Sequence, residues 1–236
     1  MVVLLKCVRY FLVIFLCLLT YLAVVGIWAN NVTSHILAEL DNRQNVAVLD
    51  TKQEELLLKI EDPRFYEHFG VDISNGQGLT TITSSIARDL FLSSKNLTGI
   101  NASMQSFYRY VFECCKKIDL GRDVMAIVLD NKLPKKHQLN YFSSNSYMGS
   151  YKGRQIKGFS EAAEAYFEKP LNALTDEEFI GLVSVLISPN YYHPKRNPER
   201  HQQRLRRVKK IISGECTPNG WLDVSYLDCH IAGSKS

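Results

Sequence analysis

Tyr10 to Ala29 carries no acidic or basic side chain, and that run constrains the chain more than any other. Its apolar-biased residues, rising about 1.5 Å each as a helix, are enough to span the roughly 30 Å hydrocarbon layer of a bilayer. Lys6 and Arg9 precede the run, and Tyr10 and Trp28 lie near its ends, where amphipathic rings favour the membrane interface. The positive-inside rule then keeps the N-terminus cytoplasmic and sends the remainder, from about Asn30, to the other side. A cleaved secretory signal is the alternative, because Ala29 could precede a cleavage site, although the apolar core of such a signal is ordinarily shorter. On either reading the domain is exported. The expected organisation is a short cytoplasmic N-terminus over residues 1–9, a transmembrane anchor over 10–29, a juxtamembrane linker over 30–50, one domain over 51–213 and a tail over 214–236.

Short-range signals within the domain point to helices. Thr51-Lys-Gln-Glu54 has the form of a capping box before Leu56, Leu57, Leu58 and Ile60, which predicts a helix over about 52–60. Ile82, Ile86 and Leu90 recur at four-residue steps with Ala87 and Phe91 beside them, predicting a helix with one buried face over 80–92. Residues 93–106, SSKNLTGINASMQS, are small and polar without a period and read as a mobile surface loop. The apolar run Val124–Leu129, the segment from Gln138 to Phe142 and a helix start over Ser160–Phe167 follow. Thr175-Asp-Glu-Glu178 is a second capping box, opening a helix with Phe179, Leu182, Val183 and Leu186 on one face and stopped by Pro189. Pro198 suits the first turn of a last helix whose Leu205, Val208 and Ile212 face inward, while Arg204, Arg206 and Arg207 face solvent or anionic lipid. No internal repeat and no convincing hairpin alternation is present, so the expected fold is mainly α.

Charge and cysteines narrow the partners. The net charge is only +4, but His193 to Lys210 holds eight Lys or Arg against one acid, Glu199, which suits an anionic partner or a membrane surface. Cys114, Cys115, Cys216 and Cys229 lie in the exported part without metal-ligand spacing to histidines, so no zinc site is expected. Cys216 and Cys229 could close a small loop in an oxidising compartment or remain buried thiols.

The stretch EDPRFYEHFGVD, residues 61–72, packs four acids, a histidine, an arginine and three aromatics into twelve positions. Pro63 disfavours helical geometry at Asp62, which places the stretch on a loop directly after the first helix of the domain. Loops held by rigid elements often carry chemistry. This stretch resembles the first motif of the peptidoglycan glycosyltransferases of family 51, Glu-Asp-x-x-Phe-x-x-His-x-Gly, at Glu61, Asp62, Phe65, His68 and Gly70. GLTTITSSIARDLFL, residues 78–92, resembles the second motif, agreeing at Thr81, Ile82 and Thr83, with Thr80 standing for a serine and Ser84 and Ser85 replacing two glutamines. KLPKKHQLNYFSSNSYMG, 132–149, is similar to a further family segment. The run from Gly158 to Glu199 follows the closing pattern through Tyr166-Phe167, Lys169, Leu174-Thr175, Glu178, Pro189, Tyr192, Pro194 and Asn197-Pro198.

The resemblance covers roughly residues 50–212 and departs in two places. Few residues separate the first and second motifs where the family has a further helical segment, while the stretch from Leu92 to Val124 is longer than usual. The third motif, Arg-Lys-x-x-Glu in the family, aligns without gaps to Ile118, Asp119 and Arg122, with Asp123 next door. A second register, Arg109-Tyr-Val-Phe-Glu113, keeps the arginine and the glutamate but needs an insertion.

What the resemblance implies is a lysozyme-like helical glycosyltransferase domain behind a transmembrane helix, at a bacterial inner membrane with the domain on the periplasmic side. It would polymerise lipid II onto a growing glycan strand, beside membrane lipids and other wall-synthesis proteins and without nucleic acid. Such a transfer needs one base for the attacking sugar hydroxyl and cations for the departing lipid diphosphate. Glu61 is the expected base: the end of a helix and the neighbouring Phe65, Tyr66 and Phe69 both disfavour its ionised form. Its plain structural alternative is a pair with Arg64 or a C-terminal cation. Glu113 is the candidate second carboxylate, with Asp119 and Asp123 as alternatives. Asp62, Phe65, His68, Thr81 and Thr83 are candidates for substrate contact, and Lys116, Lys117 and Arg122 for the diphosphate, since charge-assisted bonds to phosphate oxygens are about twice as strong as neutral ones. A divalent cation, Mg or Mn, could help neutralise the diphosphate, though no ligand set in the sequence defines a metal site. No transpeptidase domain is expected in the tail. The competing expectations are an impaired relative acting as a membrane-anchored binding or scaffold subunit, favoured by the altered third motif, and a hydrolase cutting the same polymer.

Overall fold

The computed structural model describes residues 2–40, 47–72, 80–93, 96–114, 119–217, 226 and 230–231. They are mainly helical and divide into two compact units, the first from residues 1–42, 69–71 and 83–133, the second from 43–68, 72–82 and 134–236.

In the first unit a single helix, α1, runs Val2–Leu40. Its stretch Lys6–Ala38, with a mean hydropathy of 2.6, is long and apolar enough to cross a membrane. The helix does not stop at Ala29. From Lys6 to Thr20 it is exposed all round, and from Val25 onward Trp28, Ala29, Val32 and Ile36 turn one face inward. That three- and four-residue spacing is the stripe of a helix docked on other helices, and here it packs on α4 (Gly99–Cys114) and α5 (Leu120–Asp130). Trp28 wedges against Tyr108 at 4.9 Å and Phe91 at 5.9 Å between ring centroids. Residues 30–40, expected as linker, are therefore part of the packed unit.

The segment expected as a mobile loop over 93–106 contains the start of α4. No aliphatic period announces this helix, because among its described side chains the buried ones are Gln105 and Tyr108. The Gln105 amide donates to the Phe91 carbonyl at 2.7 Å and accepts from the Leu97 backbone N–H at 3.1 Å. Those two bonds tie α4 to the end of the preceding segment, where α3 (Ile82–Ala87) passes into π-helical Arg88–Ser93 rather than continuing as one regular helix.

The second unit is organised on α2 (Thr51–Glu61). Its capping box lies one residue earlier than the sequence suggests: the Asp50 carboxylate accepts from the Gln53 backbone N–H at 2.8 Å, and the Asp50 N–H donates to Gln53 Oε1 at 3.2 Å. Glu54 is thereby released to pair with Lys136 at 2.8 Å and to accept from the Tyr66 hydroxyl. Leu57 and Ile60 bury the inner face toward α8 (Asp176–Val183) and α9 (Pro198–Ser213).

Between α6 (Lys135–Asn145) and α7 (Gly158–Phe167) stands a hairpin, β1 (Tyr147–Tyr151) with antiparallel β2 (Arg154–Lys157), contrary to the expectation of no hairpin. A register shift between Tyr147 and Gly149 breaks its alternation, and only Met148, Gly149 and Ile156 are buried, so no two-residue period reaches the sequence. The turn uses Lys152 and Gly153 at positive φ, 51° and 79°, as the tightest hairpin turns require. Phe159 of α7 stacks on Phe179 of α8 at 5.4 Å. The capping box at Thr175 and Glu178 forms as expected, but α8 ends at Val183, six residues ahead of Pro189. Pro198 opens α9 as expected. β3 (Cys216–Thr217) pairs with β4 (His230–Ile231), and Cys216 is disulfide-bonded.

Candidate active site

Glu61 is the last residue of α2, half-buried, and Asp62 closes the helix by donating its N–H to the Leu58 carbonyl at 2.9 Å. The proline that follows holds Asp62 extended, at φ −161° and ψ 74°. The chain then turns tightly, with Phe65 N bonded to the Asp62 carbonyl at 3.0 Å.

The Asp62 side chain ties this turn together from within. It is 4% exposed, both its oxygens lie 3.0 Å from His68 Nε2, and Oδ2 also accepts from the Ile82 backbone N–H at 2.9 Å. One buried carboxylate thus joins the first motif to the start of the second. Phe65 is buried beneath the Lys135 ammonium, 4.6 Å from the ring centroid. Arg64 bonds Glu67 at 2.8 Å and lies 3.6 Å from Asp72, so the alternative pairing of Glu61 with Arg64 is not what forms.

The Glu61 carboxyl is pushed up to about 7, first by burial, with Asp62 adding in the same direction and Arg204 opposing. The aromatic explanation expected from the sequence fails for two of the three rings, because Tyr66 is 53% and Phe69 75% exposed. Arg204 is the residue sequence reasoning misplaced. Expected on a solvated face, it is 2% exposed, and its Nε and Nη1 have no hydrogen-bond partner among the described residues. Burial lowers its proton affinity, yet an arginine in a protein keeps its charge. Its guanidinium lies over the Tyr226 ring, 4.3 Å from the centroid. A signal for this was present: His201, Arg204, Val208 and Ile211, all buried, share one face of α9 by three- and four-residue steps. Ile212, expected inward, is only half-buried.

The remaining candidates divide between the units. Thr81 is buried in the second unit and Thr83 in the first. Arg122, in the first unit, is 3% exposed; its backbone N–H donates to the N-cap Asp119 at 3.1 Å and its guanidinium reaches Asp123 at 2.9 Å. Burial raises the Asp123 carboxyl, against the lowering effect of Arg122. Asp119 is committed to the cap of α5. The Glu113 side chain, Lys116 and Lys117 lie outside the described residues. Gly70 explains its place in the motif physically: at φ +94° a Cβ would come 2.6 Å from the Ala126 carbonyl oxygen, so only glycine lets this backbone meet α5. Among the described residues no group of three or more His, Cys, Asp or Glu could hold a metal ion.

The described residues are mainly helical, with Glu61 ending α2 and a buried Arg204 on α9. The transglycosylase family model matches residues 31–213, and the chain belongs to that family, whose lysozyme-like helical fold agrees with the class expected from the sequence. It is 30% identical over 170 residues to penicillin-binding protein 1B of Buchnera aphidicola subsp. Baizongia pistaciae, covering 66% of this chain and 20% of that protein. Similarity to penicillin-binding protein 1A of Haemophilus influenzae is 31% over 180 residues, 67% of this chain and 18% of the relative. For penicillin-binding protein 1B of Escherichia coli it is 28% over 170 residues, 66% and 18%. The match thus spans about a fifth of these curated relatives.

Proposed function

We propose that this chain is a peptidoglycan glycosyltransferase that joins lipid II units into glycan strands and releases undecaprenyl diphosphate. It would be anchored by α1 in a bacterial inner membrane with the N-terminus cytoplasmic. The observation that carries the reading is the Glu61 carboxyl at the end of α2, held near 7 by burial, where a general base works best at neutral pH. Family membership supports the same reaction class.

Glu61 takes the proton of the acceptor's sugar hydroxyl as that oxygen attacks the donor's anomeric carbon. The bond from that carbon to the diphosphate oxygen breaks, the electron pair leaves on the diphosphate, and the anomeric centre inverts. Asp62, His68 and Phe65, being buried in the turn, hold Glu61's loop in place rather than grip the sugar. Thr81, Thr83, Lys116, Lys117 and Arg122 serve the donor and its diphosphate, with Glu113 as second carboxylate. The described residues do not form a metal site by themselves, so a divalent cation, Mg or Mn, would arrive with the diphosphate.

Full-length protein in detergent micelles, given lipid II, should form glycan polymer, and Glu61→Gln should lower the rate by about 10²–10⁴-fold, the usual contribution of a positioned base. Wild-type turnover in the variant would refute the assignment. The binding-subunit reading is favoured by one observation, that Arg122 is already paired with Asp123. It predicts lipid II binding without polymer, whereas a hydrolase would shorten preformed glycan.

A further inference from the structure

We propose that Arg204 and Tyr226 form a positioning pair for Glu61, the arginine placing a buried positive charge beside the carboxylate and the tyrosine locking both that charge and the end of α2. The proposal rests on Glu61 being the base. Glu61 and Arg204 lie within the family match, and Tyr226 lies beyond its end at residue 213.

Three observations on different elements converge. The Arg204 guanidinium is buried with two nitrogens unbonded among the described residues, although more than roughly nine in ten buried polar groups find a partner. A buried arginine serving only to stabilise the fold would normally have its forked donors filled. The groups that act on it are Tyr226, Glu61 and Tyr192, with Arg207 opposing, and Asp62 is the other charge acting on Glu61. The acids in the first turn of α8 have other partners, Asp176 with Lys52 at 2.5 Å, Glu177 with Lys209 at 3.1 Å and Glu178 with Lys169 at 2.6 Å. Among the described residues, Glu61 is the carboxyl whose charge acts on this cation.

Tyr226 supplies the second half. Its backbone is left-handed, at φ 53°, a conformation that costs a non-glycine residue about 1–2 kcal/mol and persists only where the surroundings demand it. The surroundings here are specific: the ring lies under the guanidinium at 4.3 Å, and the hydroxyl donates to the Ile60 carbonyl at 3.1 Å. That carbonyl is in the last turn of α2, where helix geometry leaves acceptors unfilled, one residue before Glu61. A single side chain therefore fixes the backbone that aims the carboxylate and the cation that acts on it.

The test uses full-length protein with Arg204→Met, Arg204→Lys and Tyr226→Leu, each checked for fold by circular dichroism. Two readouts are taken: the pH profile of lipid II polymerisation, and titration of the Glu61 carboxyl by carbon-13 NMR on glutamate-labelled protein without substrate, assigned with Glu61→Gln. Removing a nearby opposite charge should move the carboxyl titration and the acidic limb of the rate profile up together by about one pH unit, with kcat falling and KM little changed. Tyr226→Leu should move both the same way, and Arg204→Lys should restore most of the shift. If Arg204→Met does not fold, Tyr226→Leu and Arg204→Lys still decide. Unshifted titrations in folded Arg204→Met or Tyr226→Leu overturn the pair. Wild-type polymerisation by Glu61→Gln instead overturns the base assignment, an outcome the substrate-free titration keeps separate.

Discussion

Glu61→Gln should make the protein more stable at alkaline pH while leaving it unchanged in acid. The carboxyl rises from an ordinary 4.5 to about 7 in the folded protein, and at about 1.4 kcal/mol per pH unit that rise corresponds to roughly 3 kcal/mol. Half-burial of the side chain trims the expectation to about 2–3 kcal/mol, because solvent screens part of it. The sign follows from which state holds the proton more tightly. The folded form does, so the favourable contribution is complete below about pH 4.5 and is lost as pH rises through about 7. Glutamine, near-isosteric with the protonated acid, does not titrate. Both proteins share every other titrating group, including the raised Asp123 and the lowered His201, so those contributions cancel in the difference. Paired urea unfolding of full-length wild type and variant in detergent, followed by near-ultraviolet circular dichroism from pH 4 to 9, reads the difference directly. In a thermal scan it corresponds to roughly 4–12 °C of Tm, at about 2–4 °C per kcal/mol for a chain of this size. Stability curves that stay parallel across the range would refute the buried, proton-holding carboxyl and with it the physical case for Glu61 as base.

Two further substitutions probe the scaffold. Gly70→Ala should cost about 2–4 kcal/mol, because its Cβ would press on the α5 backbone at a φ that alanine resists; urea unfolding that matches wild type would show that this approach is not as close as described. Gln105→Leu keeps the volume but strands the Leu97 N–H and the Phe91 carbonyl, so it should cost about 1–3 kcal/mol and speed hydrogen exchange at the start of α4. Unchanged exchange there would sink the idea that an amide, rather than an aliphatic face, holds that helix.

Much of the site was legible locally. The capping signal before Leu57 and Ile60, the proline after Asp62 and the motif residues Glu61, Asp62, Phe65, His68 and Gly70 placed a carboxylate on a turn after a helix. The structure puts that turn there, with α2 running Thr51–Glu61. The apolar run of α1 was equally plain, since helix length and charge exclusion are properties of one contiguous stretch. Less legible were features whose partners are distant. α4 was read as loop because its inward face is an amide and a tyrosine, which carry no hydrophobic period. The hairpin was missed because a register shift and one-sided burial erase its alternation.

The sequence by itself determined the helices that caps, prolines and apolar periods announce, and which acid ends α2, because those signals act over a few residues. Tertiary structure alone decided what that acid would be. Tyr226 reaches Ile60 across 166 positions, and Arg204 turns inward only because α9 packs on α2. Burial is a long-range property, and it is what lifts the Glu61 carboxyl above that of an ordinary glutamate at a helix end, with Arg204 opposing.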